Sequence, residues 1–258
     1  MNFNFPLLDR FIRVNTLKIE PKEFEKLCSF ELQQTKIAWM YKIDRNIKIG
    51  KTPEYLAGYI HPQSFSSALI PLILNPSDKD IIWDMTASPG SKTTEIAMLM
   101  KNKGVIVATD RRLRLRALRF NISRLGVVNT IIKEFDAKHV LKENYFTKVL
   151  LDAPCTATGA YAHAKKRFKE NIAKSLSRVQ KHMLISGFDS LKKGGELVYS
   201  TCTINKFENE NVINTLLEKR SNAIIEDINL FGTTHKMLRI DFNMFNSEAF
   251  FVAKIRKT

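Results

Sequence analysis

Short apolar runs alternate with helical segments from about Asp80 to the C-terminus, and this alternation constrains the fold more than any other feature. Strands that alternate with helices predict a parallel sheet covered on both faces. The predicted strands are residues 81–85, 104–110, 128–134, 147–153, 194–200 and 248–256. The predicted helices are residues 92–101, 114–126, 174–192 and 208–219. We therefore predict an α/β fold with a doubly wound, mostly parallel sheet that binds ligands beyond the carboxyl ends of its strands.

Residues 1–60 differ from this pattern. Predicted strands at 11–19 and 38–43 flank a short helix at 20–30 that begins at Pro21. We predict a small α/β N-terminal subdomain from residues 1–60 and a larger domain from residues 61–258.

Composition indicates a folded protein of a reducing compartment. Hydrophobic residues make up 44% of the 258 residues, and apolar runs such as Ala68–Leu74 are too short to cross a membrane. Asp9 and Arg10 follow the short apolar start, which does not resemble a signal peptide. Three cysteines without a C-x-x-C pair argue against a disulfide framework or a structural zinc site. We expect a cytoplasmic monomer without a metal or a membrane attachment.

Charge points to a polyanionic partner. The net charge is +15, with a pI near 9.7. A lysine-rich surface without a specific partner would give the same total, but clustered Lys and Arg favour phosphates. We find no strongly amphipathic basic helix typical of membrane surfaces, so nucleic acid is the expected partner. The clusters are Arg111, Arg112, Arg114, Arg116 and Arg119, followed by Lys165, Lys166, Arg167 and Lys169.

Small, acidic and thiol side chains follow the predicted strands at the edge where parallel strands end. The segment "DMTASPGSKT" at 84–93 is a strand, a small-residue turn and a helix start, without a phosphate-loop or G-x-G-x-x-G pattern. Asp110, at the end of the next strand, is placed to accept ribose hydroxyls. On these residues alone, a nucleoside cofactor and a simple capped turn both remain open.

Two cysteines, Cys155 and Cys202, come directly after apolar runs. Inert buried cysteines are common, but they belong within strands rather than just beyond them. A thiolate near Lys92 and a helix N-terminus would have a lowered pKa and be nucleophilic. A thiolate, an acid and a nucleoside cofactor in a basic cleft suit methylation of cytosine at carbon 5. Addition of the thiolate at carbon 6 activates carbon 5, and a second cysteine can assist release.

The sequence resembles the Sun-type (NSUN/RsmB) RNA cytosine-5 methyltransferases over almost its whole length. The matching segments are "RVNTLK", "TPEYLAGYIHPQSFSS", "DMTASPGSKTTEIA", "LDAPCTATG", "YSTCTINKFENE" and "FFVAKIRK". The resemblance implies a Rossmann-like methyltransferase sheet, S-adenosylmethionine as cofactor, RNA as partner, and RNA binding by residues 1–60. Small stand-alone members resemble the tRNA-modifying branch, so we expect tRNA first and ribosomal RNA second.

The resemblance also assigns roles to single residues. Cys202, in Thr-Cys, resembles the nucleophile, and Cys155, in Pro-Cys, the cysteine that helps release the product. Asp152 resembles the acid at the cytosine and the methyl donor, and Lys92 joins the catalytic set. The implied cofactor residues are Thr86, Ala87, Ser88, Pro89, Gly90, Ser91 and Lys92 at the methionine end, Asp110 at the ribose, Asp136 near the adenine amine, Arg114, and Asp152.

The chain departs from the family pattern at several positions. Thr86, Ser88 and Ser91 replace Cys, Ala and Gly of the cofactor turn, Ala157 replaces a glycine, and Lys206 replaces a proline. Two alternatives therefore remain: an RNA-binding module with a degenerate site, and a thiol–disulfide enzyme. Both cysteines, the aspartates and Lys92 are retained, so we expect an active enzyme.

Overall fold

The structure, a computed structural model, describes residues 7–160 and 169–258. The strands are β1 (Arg10–Val14), β2 (Gln33–Gln34), β3 (Met40–Ile43), β4 (Ile60–Pro62), β5 (Ile81–Asp84), β6 (Val105–Asp110), β7 (Thr130–Glu134), β8 (Phe146–Asp152), β9 (Leu191–Thr201), β10 (Ala223–Glu226), β11 (Ile228–Leu230), β12 (Thr233–His235), β13 (Met237–Ile240) and β14 (Phe250–Lys257). The helices are α1 (Pro21–Leu27), α2 (Pro53–Leu56), α3 (Phe65–Leu74), α4 (Ser91–Leu99), α5 (Leu115–Arg124), α6 (Glu170–Ser190), α7 (Glu210–Lys219) and α8 (Phe242–Phe245), with 3₁₀ turns at Ile49–Lys51 and Arg112–Arg114. The predicted basic residues Lys165, Lys166 and Arg167 lie outside the described residues.

The main sheet has the strand order β10-β14-β9-β8-β5-β6-β7, and β13 also pairs with β14. β5 to β9 run parallel, whereas β10, β13 and β14 are antiparallel. The chain leaves β5 toward β6 and β7, and then returns to add β8 and β9 on the other side of β5. This confirms the predicted doubly wound, mostly parallel fold, and it places the topological switch point between β5 and β8.

Alternating side chains of the central strands pack on opposite faces of the sheet. Ile82, Leu150 and Val198 belong to one core with residues of α3, α4 and α5. Their neighbours Trp83, Leu151 and Tyr199 belong to a second core with residues of α6 and α7. The apolar runs are continuous because both faces of a parallel sheet are buried.

The N-terminal part forms its own antiparallel sheet, in the order β2-β3-β1-β4. The predicted strand at 11–19 ends earlier, at Val14, because the chain turns at the buried Asn15. The Asn15 amide donates hydrogen bonds to the carbonyls of Gly58 (3.0 Å) and Leu125 (2.8 Å). β4 crosses residue 60 and pairs with β1, so this sheet includes residues on both sides of the predicted boundary. The division at residue 60 stays a prediction.

The structure differs from the sequence-based prediction in two further ways: the bounds of one helix and of the strand after it are shifted, and one helix was not predicted. The helix predicted at 174–192 is Glu170–Ser190, and β9 already begins at Leu191, which pairs with Phe146. α3 was not predicted, because nearly all of its residues are buried and it contains Pro71, so it shows no amphipathic period. In the described part of the chain, no helix is long and apolar enough to cross a membrane.

Candidate active site

The carboxyl ends of β5, β6, β8 and β9 bring the predicted site residues to one edge of the sheet. The turn at Thr86–Ser91 follows β5, and Asp110 ends β6. Asp152 ends β8, and Cys202 follows β9, the direct parallel neighbour of β8. The sheet therefore juxtaposes the thiol-bearing loops as the sequence predicted.

The turn after β5 is held by backbone and side-chain contacts on both sides. Gly90 has φ +105°, and a Cβ there would lie 3.1 Å from Leu118 Cδ1, so the position favours glycine. Below the turn, the Thr93 hydroxyl donates to Asp84 Oδ2 (2.6 Å). Burial raises the pKa of Asp84 to about 7, against the lowering effect of that hydrogen bond. The turn thus has a rigid base of buried polar groups.

Asp110 joins the turn to the end of β6. Its Oδ2 accepts the Ser88 backbone N–H (2.9 Å), and its Oδ1 accepts the Arg111 N–H (2.8 Å). Arg114 lies 3.5 Å from Asp110 Oδ1 and donates to the Ser88 carbonyl (2.8 Å). The structure therefore brings Asp110 and Arg114 together at the turn.

Asp136 lies on a separate loop, after β7, beside a cleft of about 650 Å³. Arg111, Arg112, Glu134 and Phe135 also line this cleft. Burial raises the pKa of Asp136, but hydrogen bonds from Lys138 outweigh it and leave the pKa below its ordinary value. The cleft adjoins Asp110 through Arg111 and offers an aromatic ring and a carboxylate to a bound nucleoside.

Lys92 and Asp152 form an ion pair at the end of β8. Lys92 Nζ lies 2.7 Å from Asp152 Oδ2, and the Ser200 hydroxyl donates to Asp152 Oδ1 (2.8 Å). The Thr86 hydroxyl donates to the Asp152 carbonyl (2.8 Å). Burial alone would lower the pKa of Lys92, but the negative charge of Asp152, with a smaller contribution from Cys202, raises it. Lys92 is therefore a fixed cation beside both the carboxylate and the thiol.

The sulfur atoms of Cys155 and Cys202 lie 3.3 Å apart, and both side chains are half-buried free thiols. The expected lowered pKa is wrong for Cys155. Its hydrogen bond to Cys202 and its burial raise the pKa well above the ordinary value. Cys155 therefore keeps its proton, and either sulfur can donate the hydrogen bond between the two thiols.

Sequence reasoning assigned no role to Glu208 or Ser200, which hold this site. Glu208, fully buried, contacts the loop after Cys155, and Ser200 orients Asp152. The N-terminal sheet reaches the turn through His61, whose Nε2 lies 2.9 Å from Ser91 Oγ, and Arg13, which donates to Thr94 Oγ1 (2.7 Å). Glu208 lies in a quoted motif, but only the fold shows what its side chain contacts.

The doubly wound sheet, the turn after β5 and the acidic end of β6 form the arrangement with which Rossmann-like folds bind nucleoside cofactors. Within residues 7–160 and 169–258, no group of three or more His, Cys, Asp or Glu side chains could hold a metal ion.

Comparisons with known proteins specify the family. Residues 71–256 match the family described as 16S rRNA methyltransferase RsmB/F. The tRNA (cytosine(49)-C(5))-methyltransferase of Pyrococcus abyssi is 37% identical, with 95% of this chain and 87% of that protein aligned. Ribosomal RNA small subunit methyltransferase F of Shewanella piezotolerans is 39% identical over 95% of this chain, which spans 57% of that relative.

Solved structures agree with this assignment. NSun6 from Pyrococcus horikoshii, solved with the S-adenosylmethionine analogue SFG, has a TM-score of 0.87 at 25% identity, covering 98% of this chain and 91% of that one. A methyltransferase homolog from the same organism has a TM-score of 0.84 at 34% identity, covering 98% and 88% of the two chains. The chain belongs to the RsmB/F family of Sun-type RNA cytosine-5 methyltransferases, whose methyl donor is S-adenosylmethionine.

Proposed function

We propose that this protein methylates carbon 5 of a cytosine in RNA, with Cys202 as nucleophile and Cys155 as the residue that assists release. The observation that supports these roles is the thiol pair, 3.3 Å apart, on two neighbouring strand ends beside the Lys92–Asp152 ion pair. An inert RNA-binding module has no need for two thiols in contact with each other and an ordered carboxylate next to them.

The cofactor residues fit a nucleoside methyl donor. Asp110 is the ribose acid, the cleft beside Asp136 receives the adenine, and the turn at Thr86–Lys92 surrounds the methionine end, with Arg114 bracing it. The cleft volume of about 650 Å³ and the turn held by Asp110 support this assignment. When bound, S-adenosylmethionine supplies an electrophilic methyl group.

The chain's own residues account for the remaining chemistry. The electron pair of the Cys202 thiolate forms a bond to carbon 6 of the cytosine, and the π electrons of the 5,6 double bond move toward carbon 5 and the ring nitrogen. The Lys92 ammonium, held by Asp152, can stabilise the negative charge that develops there. Carbon 5 then takes the methyl group from the sulfonium sulfur of the donor, which is left as a neutral thioether. Water takes up the carbon 5 proton, the C–H electron pair re-forms the 5,6 double bond, and the bond between carbon 6 and sulfur breaks to release the Cys202 thiolate. The raised pKa keeps a proton on Cys155, whose S–H can donate to the departing Cys202 thiolate. This hydrogen bond stabilises the leaving group.

We propose tRNA as the substrate and ribosomal RNA as the second candidate. The archaeal tRNA enzyme, which is 37% identical and aligned over 87% of its length, supports this choice. We further propose that residues 1–60 and the exposed arginines around α5 bind the RNA. Bisulfite sequencing of RNA from cells lacking the protein identifies the cytosine, and a lost signal in ribosomal RNA alone would refute tRNA.

The covalent mechanism is tested by separate cysteine variants. Cys202→Ala should abolish both methylation and any covalent adduct. Cys155→Ala should still attack and methylate, and then accumulate a protein–RNA complex that survives denaturing electrophoresis. An adduct trapped in Cys202→Ala but absent in Cys155→Ala would show that Cys155 is the nucleophile and Cys202 the residue that assists release. Trapping in neither variant would refute the covalent mechanism.

A further inference from the structure

A buried carboxylate, Glu208, connects the two loops that hold the cysteines. Its Oε1 accepts the Thr156 backbone N–H (2.9 Å) and the Gln180 amide (3.0 Å). Its Oε2 accepts the Thr156 hydroxyl (2.5 Å) and the Asn205 amide (2.5 Å). No described lysine or arginine pairs with Glu208, so four neutral donors satisfy this fully buried side chain. A buried carboxylate without a cation is costly to retain unless its hydrogen bonds are complete.

These donors come from the residues that place the cysteines. Thr156 directly follows Cys155, and Asn205 and Glu208 follow Cys202 on the other loop. The Gln180 amide also donates to the carbonyl of Pro154, just before Cys155 (2.8 Å). The other hydrogen bonds that described residues make between the loops are all between neutral groups. The Thr203 hydroxyl contacts those of Thr156 (3.0 Å) and Thr158 (2.6 Å), and the Gly159 N–H donates to the Cys202 carbonyl (2.9 Å).

We propose that Glu208 is a positioning residue that fixes Cys155 against Cys202, so that the Cys155 thiol can assist the release step. This proposal rests on the proposed function. Glu208 accepts hydrogen bonds from both the backbone N–H and the hydroxyl of Thr156, so its two carboxylate oxygens together hold the residue next to Cys155. Addition of Cys202 to the base requires only Cys202 and the Asp152–Lys92 pair, and it should depend little on Glu208.

The test is Glu208→Gln, which keeps the side-chain shape but turns an NH₂ group toward two of the four donors. In single-turnover reactions with a tRNA transcript, we expect adduct formation within about 3-fold of wild type and adduct resolution slowed by about 10-fold or more. In Cys155→Ala, resolution is already blocked, so adding Glu208→Gln should slow it no further. Non-additive effects on the resolution rate in this double-mutant cycle would indicate that the two residues act in the same step.

Controls separate this role from a general loss of structure. Glu210→Gln removes a nearby, partly buried carboxylate that pairs with Arg239, and this variant should resolve the adduct at the wild-type rate. If Glu208→Gln fails to fold, Thr156→Val removes one hydroxyl donor and should slow resolution, whereas Thr156→Ser should restore it. Equal slowing of addition and resolution, additivity with Cys155→Ala, or normal resolution in folded variants would overturn the proposal. A wild-type protein that forms neither 5-methylcytosine nor an adduct would instead refute the proposed function on which it rests.

Discussion

Two arginines on the outer face of α5 provide a quantitative test of RNA binding. Arg116 and Arg119 are exposed, and neither makes a hydrogen bond or ion pair with a described residue. Beside them lies Phe120, whose side chain is 55% exposed. Arg114, by contrast, is already engaged by Asp110 and Ser88. Unpaired guanidinium groups next to an exposed aromatic ring are suited to a nucleic acid, because they can contact phosphates without first breaking an ion pair.

The double variant Arg116→Gln/Arg119→Gln should weaken RNA binding by a predictable amount. Each phosphate contact contributes about 0.7 to 0.9 to the slope of log affinity against log salt. Loss of two contacts should therefore reduce the slope by about 1.4 to 1.8. At about 0.15 M salt, the same loss corresponds to affinity about 15- to 30-fold weaker.

Fluorescence anisotropy of a labelled tRNA transcript, titrated at several salt concentrations, measures both quantities. The matched control is Lys192→Gln/Lys193→Gln, which removes the same charge from exposed residues at the start of β9, the edge opposite the strand ends of the site. The control should keep the wild-type slope. Equal slope changes in the two double variants would show that only total charge matters, and an unchanged slope in the arginine variant would exclude α5 from the interface.

Three further perturbations follow from the site. Asp110→Ala should weaken S-adenosylmethionine binding by about 1–3 kcal/mol, through lost ribose hydrogen bonds and a loosened Ser88 turn, and calorimetry that finds unchanged affinity would remove Asp110 from the site. Ala157 has φ +53°, so Ala157→Gly should raise the free energy of unfolding by about 1 kcal/mol in urea titrations, and an unchanged or lower value would contradict this. Asp84 has a folded-state pKa raised to about 7, so the unfolded chain binds fewer protons and stability falls as pH rises from about 4 to 7. Between pH 5 and 7, wild type should lose about 2 kcal/mol more than Asp84→Asn, and parallel pH profiles would contradict this.

The parallel part of the sheet could be predicted from the sequence, but the antiparallel strands at its edge could not. The runs that became β5, β6, β8 and β9 are apolar and occur in a chain that alternates strands with helices, so the pattern predicts a parallel sheet. It does not predict that β8 returns to pair with β5. β10 and β13 are short and partly exposed, and they pair only with β14. Such strands depend on a partner distant in sequence, and local patterning does not reveal it.

The candidate site shows a similar division. Strand ends and motif residues indicated which side chains share an edge, and the structure brings Lys92, Asp152, Cys155 and Cys202 together there. The raised pKa of Cys155 was not predictable, because it depends on the hydrogen bond to Cys202 and on burial, which only the folded chain creates. From the sequence, the nearby Lys92 and helix N-terminus indicated a lowered pKa instead.

The three substitutions in the cofactor turn argue against a degenerate site once their contacts are considered. The Thr86 hydroxyl donates to the Asp152 carbonyl (2.8 Å), and the Ser88 hydroxyl donates to the Arg114 carbonyl (2.7 Å). The Ser91 hydroxyl meets His61, whose pKa burial lowers well below its ordinary value, with further lowering by Arg13 and Arg124. Arg124 donates to Nδ1 of this neutral ring, so Nε2 carries the proton and donates to Ser91.

Each replacement side chain therefore ties the turn to a neighbouring part of the structure: the end of β8, the start of α5, or the N-terminal sheet. The backbone groups of an exposed turn can hydrogen-bond water. If the turn no longer bound a ligand, nothing would favour hydroxyl side chains that fix its backbone. Cys, Ala and Gly at these positions would supply no such hydroxyl contacts. The turn of this chain is thus ordered by hydroxyl hydrogen bonds that the family residues would not make. The substitutions leave Asp110, the Lys92–Asp152 ion pair and both thiols in place.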